Sequence, residues 1–413
     1  MTPSCCVVGG GPAGVTLSLL LARAGVPVTL LEAHKDFDRD SRGDTIHPST
    51  LELLDQIGLA ERLHELPHTK MGEFQLRTAA GIQTLIVFKR LRTKFPYVMV
   101  MPQARFLEFL VAEASTYPHF QLVMGATVQR LIDEEDAIRG VGYVVGDARS
   151  DLRAPLTVAA DGRFSRVRAL AGLEPTPQSA PMEVLWFRLP RRADDASEDA
   201  SITVGHREFM VLIGRPHEWQ VGYVVQPGAY ARLKREGLES LRRSVLTSLP
   251  WLADRAALLT DWKHVNVLSV EANRLRRWYR PGLLLIGDAA HVMLPIAGVG
   301  INCAIADAVE AANVLSEPLR CRPVLETDLA EVQRRREMPT RIIQAFQARI
   351  QRRVIDQALE SSKPFTLPIP LRVLRRVPVL RNLPGRVVGL GVPRVRIERP
   401  QERPLLPARA ALT

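Results

Sequence analysis

The sequence predicts an α/β fold, and two observations support this. Residues 4–32 read as a buried strand, a glycine-rich turn, an apolar helix from about Ala13 and a second strand ending at Glu32, which is a βαβ unit. Residues 121–160 contain short apolar runs divided by charged or glycine-containing turns, as in strands that return to the first unit. We therefore expect a Rossmann-like domain whose mixed, mainly parallel central sheet includes a β-meander crossover.

Changes in composition along the chain predict four segments. Residues 1–180 would form the first part of the Rossmann-like domain, and residues 265–345 its second part. Between them, residues 181–264 carry aromatic residues on strand-like runs followed by a helical stretch, which predicts a sheet-and-helix substrate layer. Residues 346–413 would form a helical and Pro/Arg-rich C-terminal region, and Pro339 should interrupt the long basic helix before it.

The composition narrows the class of protein. The 413 residues are 46% hydrophobic, which is enough for a sizeable core. The net charge of +11 favours anionic partners, yet no nucleic-acid-binding module accompanies it, so we expect none. The four cysteines have no paired spacing, and His and Cys never cluster as metal ligands do, so we expect reduced thiols, a cytoplasmic location and no metal.

The first chemistry-bearing motif is the glycine fingerprint at the first turn. It follows a strand, opens a helix and is followed eighteen residues later by an acid at the end of the next strand. Such glycines let the backbone approach a pyrophosphate, and the acid accepts from ribose hydroxyls. The alternative is a tight turn in an ordinary α/β protein. The predicted cofactor contacts here are Gly9, Gly11, Pro12, Ala13, Gly14 and Glu32.

A second motif lies in the stretch "LLLIGDAAHVMLPIAGVGIN". A buried strand carries Asp288 at its carboxyl end, where open α/β sheets bind ligands, and a glycine-containing loop then leads into a helix starting near Asn302. Two separated polar contact points indicate a ligand longer than ADP. The fingerprint alone does not separate NAD from FAD, whereas the second motif favours the longer flavin dinucleotide.

Together the motifs resemble the class A flavoprotein monooxygenases, the aromatic hydroxylases related to para-hydroxybenzoate hydroxylase and to the ubiquinone-biosynthesis hydroxylases. The resemblance covers roughly residues 4–345 and includes the "ADGRFSRVR" segment. It implies bound FAD, with Glu32 and Asp288 on ribose and ribityl hydroxyls. It also implies further contacts near the pyrophosphate and ribityl chain, in the "ADG" segment and along the flavin pyrimidine edge, from Arg42, Gln103, Asp161, Pro295, Gly298, Gly300, Ile301 and Asn302.

The resemblance also implies a reaction. NAD(P)H would reduce FAD, O2 would add to form a flavin hydroperoxide, and an aromatic or quinone-like apolar molecule would be hydroxylated. Three arginines after Asp161 are candidates for the NAD(P)H pyrophosphate: Arg163, Arg166 and Arg168. The alternatives are an FAD-dependent reductase or halogenase of a lipophilic substrate, and a non-catalytic carrier on the same fold.

No side chain is predicted as a required catalyst, because the flavin performs the chemistry in this class. The candidates for proton transfer are His47 and Tyr223, with a structural or flavin-packing role as the alternative for His47. His291 is weighed in the same way as His47, while His206 and His217 lie in the substrate layer and are candidates to face a phenol.

The tail from about Pro364 alternates arginines with aliphatic residues among repeated prolines, which excludes a continuous membrane-spanning helix. It predicts one of two arrangements. In the first, the tail contacts an anionic membrane surface peripherally. In the second, its aliphatic side chains pack on the domain while its arginines remain solvated. The arginines concerned are Arg372, Arg375, Arg376, Arg381, Arg386, Arg394 and Arg396.

Overall fold

The computed structural model describes residues 4–38, 44–79, 81–179, 181–192, 194–195, 200–205, 207–360, 365 and 382–398. The helices are α1 (Pro12–Arg23), α2 (Pro48–Gln56), α3 (Ala60–His64), α4 (Gln103–Ala114), α5 (Arg166–Leu170), α6 (Ala229–Glu236), α7 (Leu238–Ser248), α8 (Ala253–Ala256), α9 (Gly300–Cys321), α10 (Glu326–Ile350), α11 (Asp356–Glu360) and α12 (Leu383–Leu390). The strands are β1 (Cys5–Val8), β2 (Val28–Glu32), β3 (Thr45–Ile46), β4 (Thr69–Met71), β5 (Glu73–Thr78), β6 (Gly81–Val87), β7 (Val98–Val100), β8 (Phe120–Met124), β9 (Ala126–Glu134), β10 (Ala137–Val145), β11 (Ala148–Arg153), β12 (Leu156–Ala159), β13 (Thr176–Pro177), β14 (Met182–Pro190), β15 (Ala200–Val204), β16 (Phe209–Gly214), β17 (Glu218–Val225), β18 (Asn266–Val270), β19 (Asn273–Arg274), β20 (Tyr279–Arg280), β21 (Leu283–Leu285) and β22 (His291–Val292).

The central sheet has the strand order β20-β21-β12-β1-β2-β8. All its neighbouring pairs are parallel except β20 with β21. Strands β1, β2, β12 and β21 are buried along their whole length, since a parallel sheet is covered on both faces and its strands are continuous apolar runs. The predicted α/β class and the initial βαβ unit are confirmed.

A three-stranded antiparallel meander, β9–β10–β11, connects β8 at one edge of the central sheet to β12 in its middle. It is the predicted β-meander crossover. The crossover brings the carboxyl end of β12, and Asp161 after it, beside the carboxyl end of β1 and its glycine turn, since β1 pairs with β12 in parallel.

A second, seven-stranded sheet has the order β18-β14-β17-β16-β15-β5-β6. One face is covered by α6, α7 and α8 through Leu233, Leu241 and Ala256, while the other packs on residues of the second motif such as Val292 and Leu294. Residues 181–264 supply only β14–β17. Strands β5 and β6 come from the predicted first segment and β18 from the third, a pairing the sequence did not predict because it joins residues far apart in the chain.

Helix α10 is continuous from Glu326 to Ile350 with Pro339 inside it, so the predicted interruption is wrong. A proline costs a helix one hydrogen bond and a local clash, about 3 kcal/mol. The helix retains its course because its buried residues anchor it on both sides of the proline, with Leu329 and Val332 before it and Ile343 after it.

The described part of the tail, 382–398, packs on the domain. Val388 and Leu390 of α12 are buried, and the backbone N–H of Ile397 donates to Gln56. Arg394 pairs with Glu52 at 3.7 Å. This arrangement matches the packing alternative for these residues. Arg372, Arg375, Arg376 and Arg381 lie outside the described residues.

Within the described residues, the helical stretch Ile296–Cys321 is long and apolar enough to cross a membrane by length and composition. It contains α9, whose residues Ala308, Ala311 and Leu315 are fully buried in the core beside α1 and α10. Its apolar character is therefore accounted for by packing inside the protein.

Candidate active site

The fingerprint loop is compact because its glycines contact backbone directly. Gly9 has a φ of 105°, and a Cβ there would lie 2.5 Å from the carbonyl oxygen of Ala160. A Cβ on Gly14 would lie 1.9 Å from the carbonyl oxygen of Gly9. No described side chain caps α1, whose N-cap is Gly11 and whose first residue is Pro12. The helix N-terminus thus presents amides, including that of Ala13, without a protein anion, which is the arrangement that binds phosphate.

Glu32 lies at the end of β2 and is only 2% exposed. Its Oε2 accepts from the amide of Gly10 at 2.6 Å, and its Oε1 accepts from the amide of His34 at 2.9 Å. The His34 ring also contacts Oε1, with 2.6 Å between Nδ1 and the oxygen. The carboxylate is therefore fixed beside the fingerprint loop, where a ribose would approach.

The second motif ends in the loop from Pro295 to Val299, which we call the flavin-edge loop. Its backbone is tightly turned, since both Ala297 and Gly298 have φ near 60°. A Cβ on Gly298 would lie 2.4 Å from Oγ1 of Thr45, so only glycine fits there without a shift. Helix α9 then begins at Gly300 with no described side chain capping it and no acid in its first turn.

Asn302, in the first turn of α9, holds this loop against the start of α2. Its Oδ1 accepts from the amide of His47 at 2.9 Å and from the Thr50 hydroxyl at 2.8 Å. Its Nδ2 donates to the carbonyl oxygen of Gly298 at 3.3 Å. The side chain of Asn302 is thus occupied by protein contacts, and the contact of this residue with the flavin stays a prediction. The backbone amides of Gly300 and Ile301 remain the predicted flavin contacts.

The turn that carries Asp288 is held by a residue that the sequence analysis missed. Asp307 in α9 is fully buried, and its Oδ2 accepts from the amide of Gly287 at 2.9 Å and contacts Nε2 of His291 at 2.6 Å. Its Oδ1 accepts from Nε of Arg336 at 2.7 Å. Burial opposes ionisation of this carboxyl, yet His291 and Arg336 outweigh it and lower its pKa.

His291 is therefore bonded to a structural carboxylate, which matches the structural role weighed for it. A signal for Asp307 was present in the sequence. It is a charged residue at an apolar-face position of the run "NCAIADAVEAANVL", and such a residue is rarely buried without partners.

Asp161 follows β12 and is held by the helix after it. Its two carboxylate oxygens accept from the Ser165 hydroxyl at 2.5 Å and from the amide of Val167 at 3.0 Å. Burial raises the pKa of Asp161, while these hydrogen bonds oppose the rise. The side chain thus supports the first turn of α5, whose N-cap is Ser165, and its predicted contact with a cofactor stays a prediction.

Arg168 is buried and donates to the backbone carbonyls of Ala289 at 3.0 Å and Arg163 at 2.7 Å. It joins the "ADG" segment to the Asp288 turn, so it is not free to meet a pyrophosphate, contrary to the prediction. Arg166 is hydrogen-bonded to Gln129. Arg163, whose Nε has no hydrogen-bond partner in the described part of the chain, remains the candidate among the three.

The sequence also predicts roles for four other residues, Gln103, Arg42, His206 and His217. Gln103 begins α4 and is half-buried, two residues after Met101, whose amide donates to the backbone carbonyl of Asp44. Arg42 lies outside the described residues, as does His206. His217 is exposed in the turn between β16 and β17, so the structure does not direct it toward a substrate.

His47 is buried beneath α12. Its Nδ1 donates to the carbonyl oxygen of Val388 at 2.8 Å, and Phe88 contacts its ring edge. Burial lowers the pKa of His47 from 6.5 to about 4, although the bond to Val388 opposes the shift. The imidazole is therefore neutral near pH 7. Its neighbours are the flavin-edge loop and α12, which fits the packing role.

Tyr223 lies on the helix-covered face of the seven-stranded sheet. Its ring packs with Leu233, Leu241 and Val245, and its hydroxyl is 3.4 Å from Oγ of Ser244. Burial raises its pKa. Successive side chains along a strand point to opposite faces of the sheet. Val224 therefore lies on the face that packs against the flavin-edge loop, and Tyr223 lies on the other face. This placement does not support Tyr223 as a proton-transfer group.

The face of the sheet toward the cofactor motifs is apolar and partly accessible. Val292, Leu294 and Ile296, which lead into the flavin-edge loop, pack in one cluster with strands β14–β18. Half-buried Trp186 also belongs to this cluster, and its indole covers Gly222, where a Cβ would lie 2.7 Å from the ring. An aromatic platform thus lies on the same face as the loop.

The residues present fit FAD. The fingerprint loop leaves space that side chains would fill, the carboxylate of Glu32 is anchored beside that loop, and two helix N-termini without a side-chain cap belong to the two motifs. In the described residues no group of three or more His, Cys, Asp or Glu is placed to hold a metal ion.

Comparison with known proteins agrees with this fit. A family model described as "FAD binding domain" matches residues 2–345. The chain is 33% identical over 386 residues to 6-methylpretetramide 4-monooxygenase from Streptomyces rimosus, covering 92% of this chain and 91% of that protein. It is 30% identical to rifampicin monooxygenase from Streptomyces venezuelae over 73% of this chain, and the match spans only 61% of that longer protein.

The chain belongs to this family of FAD-dependent monooxygenases. It is an FAD-dependent oxidoreductase, and FAD is its cofactor. Among solved structures, PqsL of P. aeruginosa in complex with 2-aminobenzoylacetate shares the fold, with a TM-score of 0.75, 21% identity and coverage of 87% of this chain and 98% of that one. Flavin-dependent halogenases also match, at 14% and 19% identity, so the fold alone does not distinguish the two reactions.

Proposed function

We propose that the protein uses NAD(P)H and O2 to hydroxylate an aromatic or quinone-like apolar molecule. One oxygen atom enters the substrate, the other leaves as water, and NAD(P)H supplies the two electrons. The observation that carries the proposal is the contact between the flavin-edge loop and the apolar face of the seven-stranded sheet. A flat substrate on that face would lie beside the redox end of the cofactor in a largely dry environment.

The cofactor would span both motifs. The fingerprint amides from Gly11 to Gly14 would bind the pyrophosphate, Glu32 the adenosine ribose and Asp288 the ribityl hydroxyls. The first amides of α9, from Gly300 and Ile301, would face the flavin pyrimidine edge, where a helix N-terminus stabilises negative charge. Bound in this way, FAD supplies electron transfer and oxygen activation, while the chain orients the substrate and excludes water.

Aromatic polyketides are the first substrate class to test. Two relatives are named for a pretetramide and for rifampicin. The platform formed by Trp186 over Gly222 offers the flat, apolar contact that fused phenolic rings would need.

The test uses the purified holoenzyme and a panel of phenols, polycyclic aromatic polyketides and quinone precursors. NADH and NADPH oxidation is followed with and without each compound, and products are analysed after turnover under 18O2. We expect substrate-stimulated oxidation and one labelled oxygen atom in the product. Reduced product without label indicates a reductase, halide-dependent halogenation indicates a halogenase, and flavin-free folded protein indicates a carrier. Each of these results would overturn the proposal.

Peripheral membrane contact of the tail is a separate proposal. Because residues 382–398 pack on the domain, the arginines before Asn382 would make such contact. Wild-type protein and a variant in which Arg372, Arg375, Arg376 and Arg381 are changed to Gln, which retains the packed residues 382–398, are sedimented with anionic and neutral vesicles. Salt-sensitive binding of the wild-type protein alone to anionic vesicles would support it. Equal partitioning of both proteins would leave the tail as a packing segment.

A further inference from the structure

Helix α10 presents a row of buried polar side chains along one face. Gln333, Arg336, Gln344 and Gln347 are at most 9% exposed, and their spacings of three, eight and three residues place them on the same side of the helix. We call this row the α10 polar face. Buried polar groups are costly unless they are hydrogen-bonded, so the partners of this face show what it holds.

The three glutamines bond to the backbone of the segment that carries the second motif. Gln333 accepts from the amide of Trp278 at 2.9 Å and donates to the carbonyl oxygen of Arg276 at 2.8 Å. Gln344 donates to the carbonyl oxygens of Asn273 at 2.8 Å and Val292 at 3.0 Å. A primary amide both donates and accepts hydrogen bonds. These glutamine side chains therefore satisfy backbone amides and carbonyls of the segment in the way that a neighbouring strand would.

Gln347 contacts the backbone next to the flavin-edge loop. Its Oε1 accepts from the amide of Leu294 at 3.2 Å. Its Nε2 donates to the carbonyl oxygens of Leu294 at 2.8 Å and Ile296 at 3.0 Å. These residues flank Pro295, so one buried side chain fixes the chain on both sides of the point where the loop begins.

The same helix also holds the other end of the segment. Arg336 bonds to Asp307, which holds the amide of Gly287 beside Asp288. The α10 polar face therefore fixes the turn at Asp288 and the start of the flavin-edge loop relative to one rigid element. The distance between these two cofactor contact points is set by α10 rather than by the connecting chain alone.

We propose that Gln347 is a positioning residue for the flavin. By fixing Leu294 and Ile296, it holds the N-terminus of α9 against the flavin pyrimidine edge, where the positive end of the helix stabilises the negative charge of the reduced ring. The proposal rests on the placement of the flavin given under the proposed function, but it is independent of the substrate and of the reaction.

The test compares Gln347→Met with Gln333→Met in the holoenzyme. Both substitutions remove one buried amide of α10 with little change of side-chain length, so a purely structural role predicts the same loss of thermal stability. We expect that loss in both variants. Only Gln347→Met should raise the FAD dissociation constant, by about 10-fold, lower the reduction potential and change the visible absorption of the bound flavin.

Equal changes of dissociation constant, potential and spectrum in both variants, or none in either, would overturn the proposal. If Gln347→Met does not fold, Gln347→Asn is measured in the same way, because it keeps a buried amide but shortens its reach by one methylene, so the contacts to Leu294 and Ile296 are not all retained. Gly298→Ala perturbs the flavin-edge loop directly. No flavin change in Gly298→Ala contradicts the placement of the flavin, whereas a change there but not in Gln347→Met contradicts only the role of Gln347.

Discussion

The two cofactor motifs are built in different ways. The fingerprint motif is formed by residues 5–32, and its tightest contacts lie within one strand, one turn and one helix, apart from the neighbouring strand end at Ala160. The second motif, from Gly287 to Asn302, is held by side chains that approach from other parts of the chain. The side chains of Thr50, Asp307 and Gln347 each bond to it.

This difference separates the roles of backbone and side chains. In the fingerprint, the space left by the missing glycine side chains forms the site. Adding a side chain at these glycines should therefore abolish FAD binding. In the second motif, buried hydrogen bonds from several elements set the position of a loop, so the loss of one bond should alter affinity and stability in graded amounts.

The largest effect is expected for Gly14→Ala. A Cβ there would lie 1.9 Å from the carbonyl oxygen of Gly9, so the loop or the helix must move and the pyrophosphate site is lost. Protein carrying this substitution should purify without flavin and gain no thermal stability with added FAD. Gly25→Ala, at the other end of α1, is the control. Its Cβ meets nothing within 4 Å, so only the cost of a positive φ applies, about 1–2 kcal/mol, and FAD should be retained.

A smaller but still large effect is expected for Asp307→Asn. The change leaves Arg336 buried without its carboxylate and weakens the bond to Gly287, which should lower the free energy of unfolding by about 3–5 kcal/mol and weaken FAD binding. Glu310→Gln removes a partly exposed pair with Arg335 between the same two helices and should cost about 1 kcal/mol or less. Denaturant unfolding and FAD titration measure both. Equal losses would contradict a special role for Asp307.

The contrast also explains what the sequence could predict. The βαβ unit, the meander and the end of β21 follow from local apolar runs and turns, and all three are found. The partners of the second motif follow from tertiary contacts. His47 bonds to Val388, 341 residues further on, in a region that composition described only as a Pro/Arg-rich tail. Strand β5 likewise pairs in parallel with β15, and no local pattern reveals such a partner.

Asn302 shows the same limit at the level of one residue. Its position at the start of α9 was readable from the glycine loop before it, but its side-chain partners were not. Both His47 and Thr50 are more than 250 residues away in sequence, and they donate to the side-chain oxygen of Asn302.

A moderate, pH-dependent effect is expected at His47. Burial lowers its pKa from 6.5 to about 4, so the neutral ring contributes stability that is fully present above pH 6.5 and is lost as the pH falls toward 4. The shift corresponds to about 3 kcal/mol. His47→Asn keeps a donor for Val388 without a group that titrates there. Unfolding free energies at pH 7.5, 6 and 5 should fall more steeply for the wild type, and parallel profiles would contradict the assignment.

The smallest effect is expected for Tyr223→Phe. The hydroxyl makes one long contact, 3.4 Å to Ser244, on the face of the sheet covered by helices, and the ring keeps its packing with Leu233 and Leu241 after the change. Loss of one neutral, marginal hydrogen bond should alter the unfolding free energy by about 0.5 kcal/mol or less. Trp186→Phe on the opposite face is the comparison, because it shortens the aromatic platform beside the flavin-edge loop and should raise the KM for an aromatic substrate. If Tyr223→Phe instead lowers kcat or shifts its pH profile while Trp186→Phe does not, the substrate lies on the other side of the sheet.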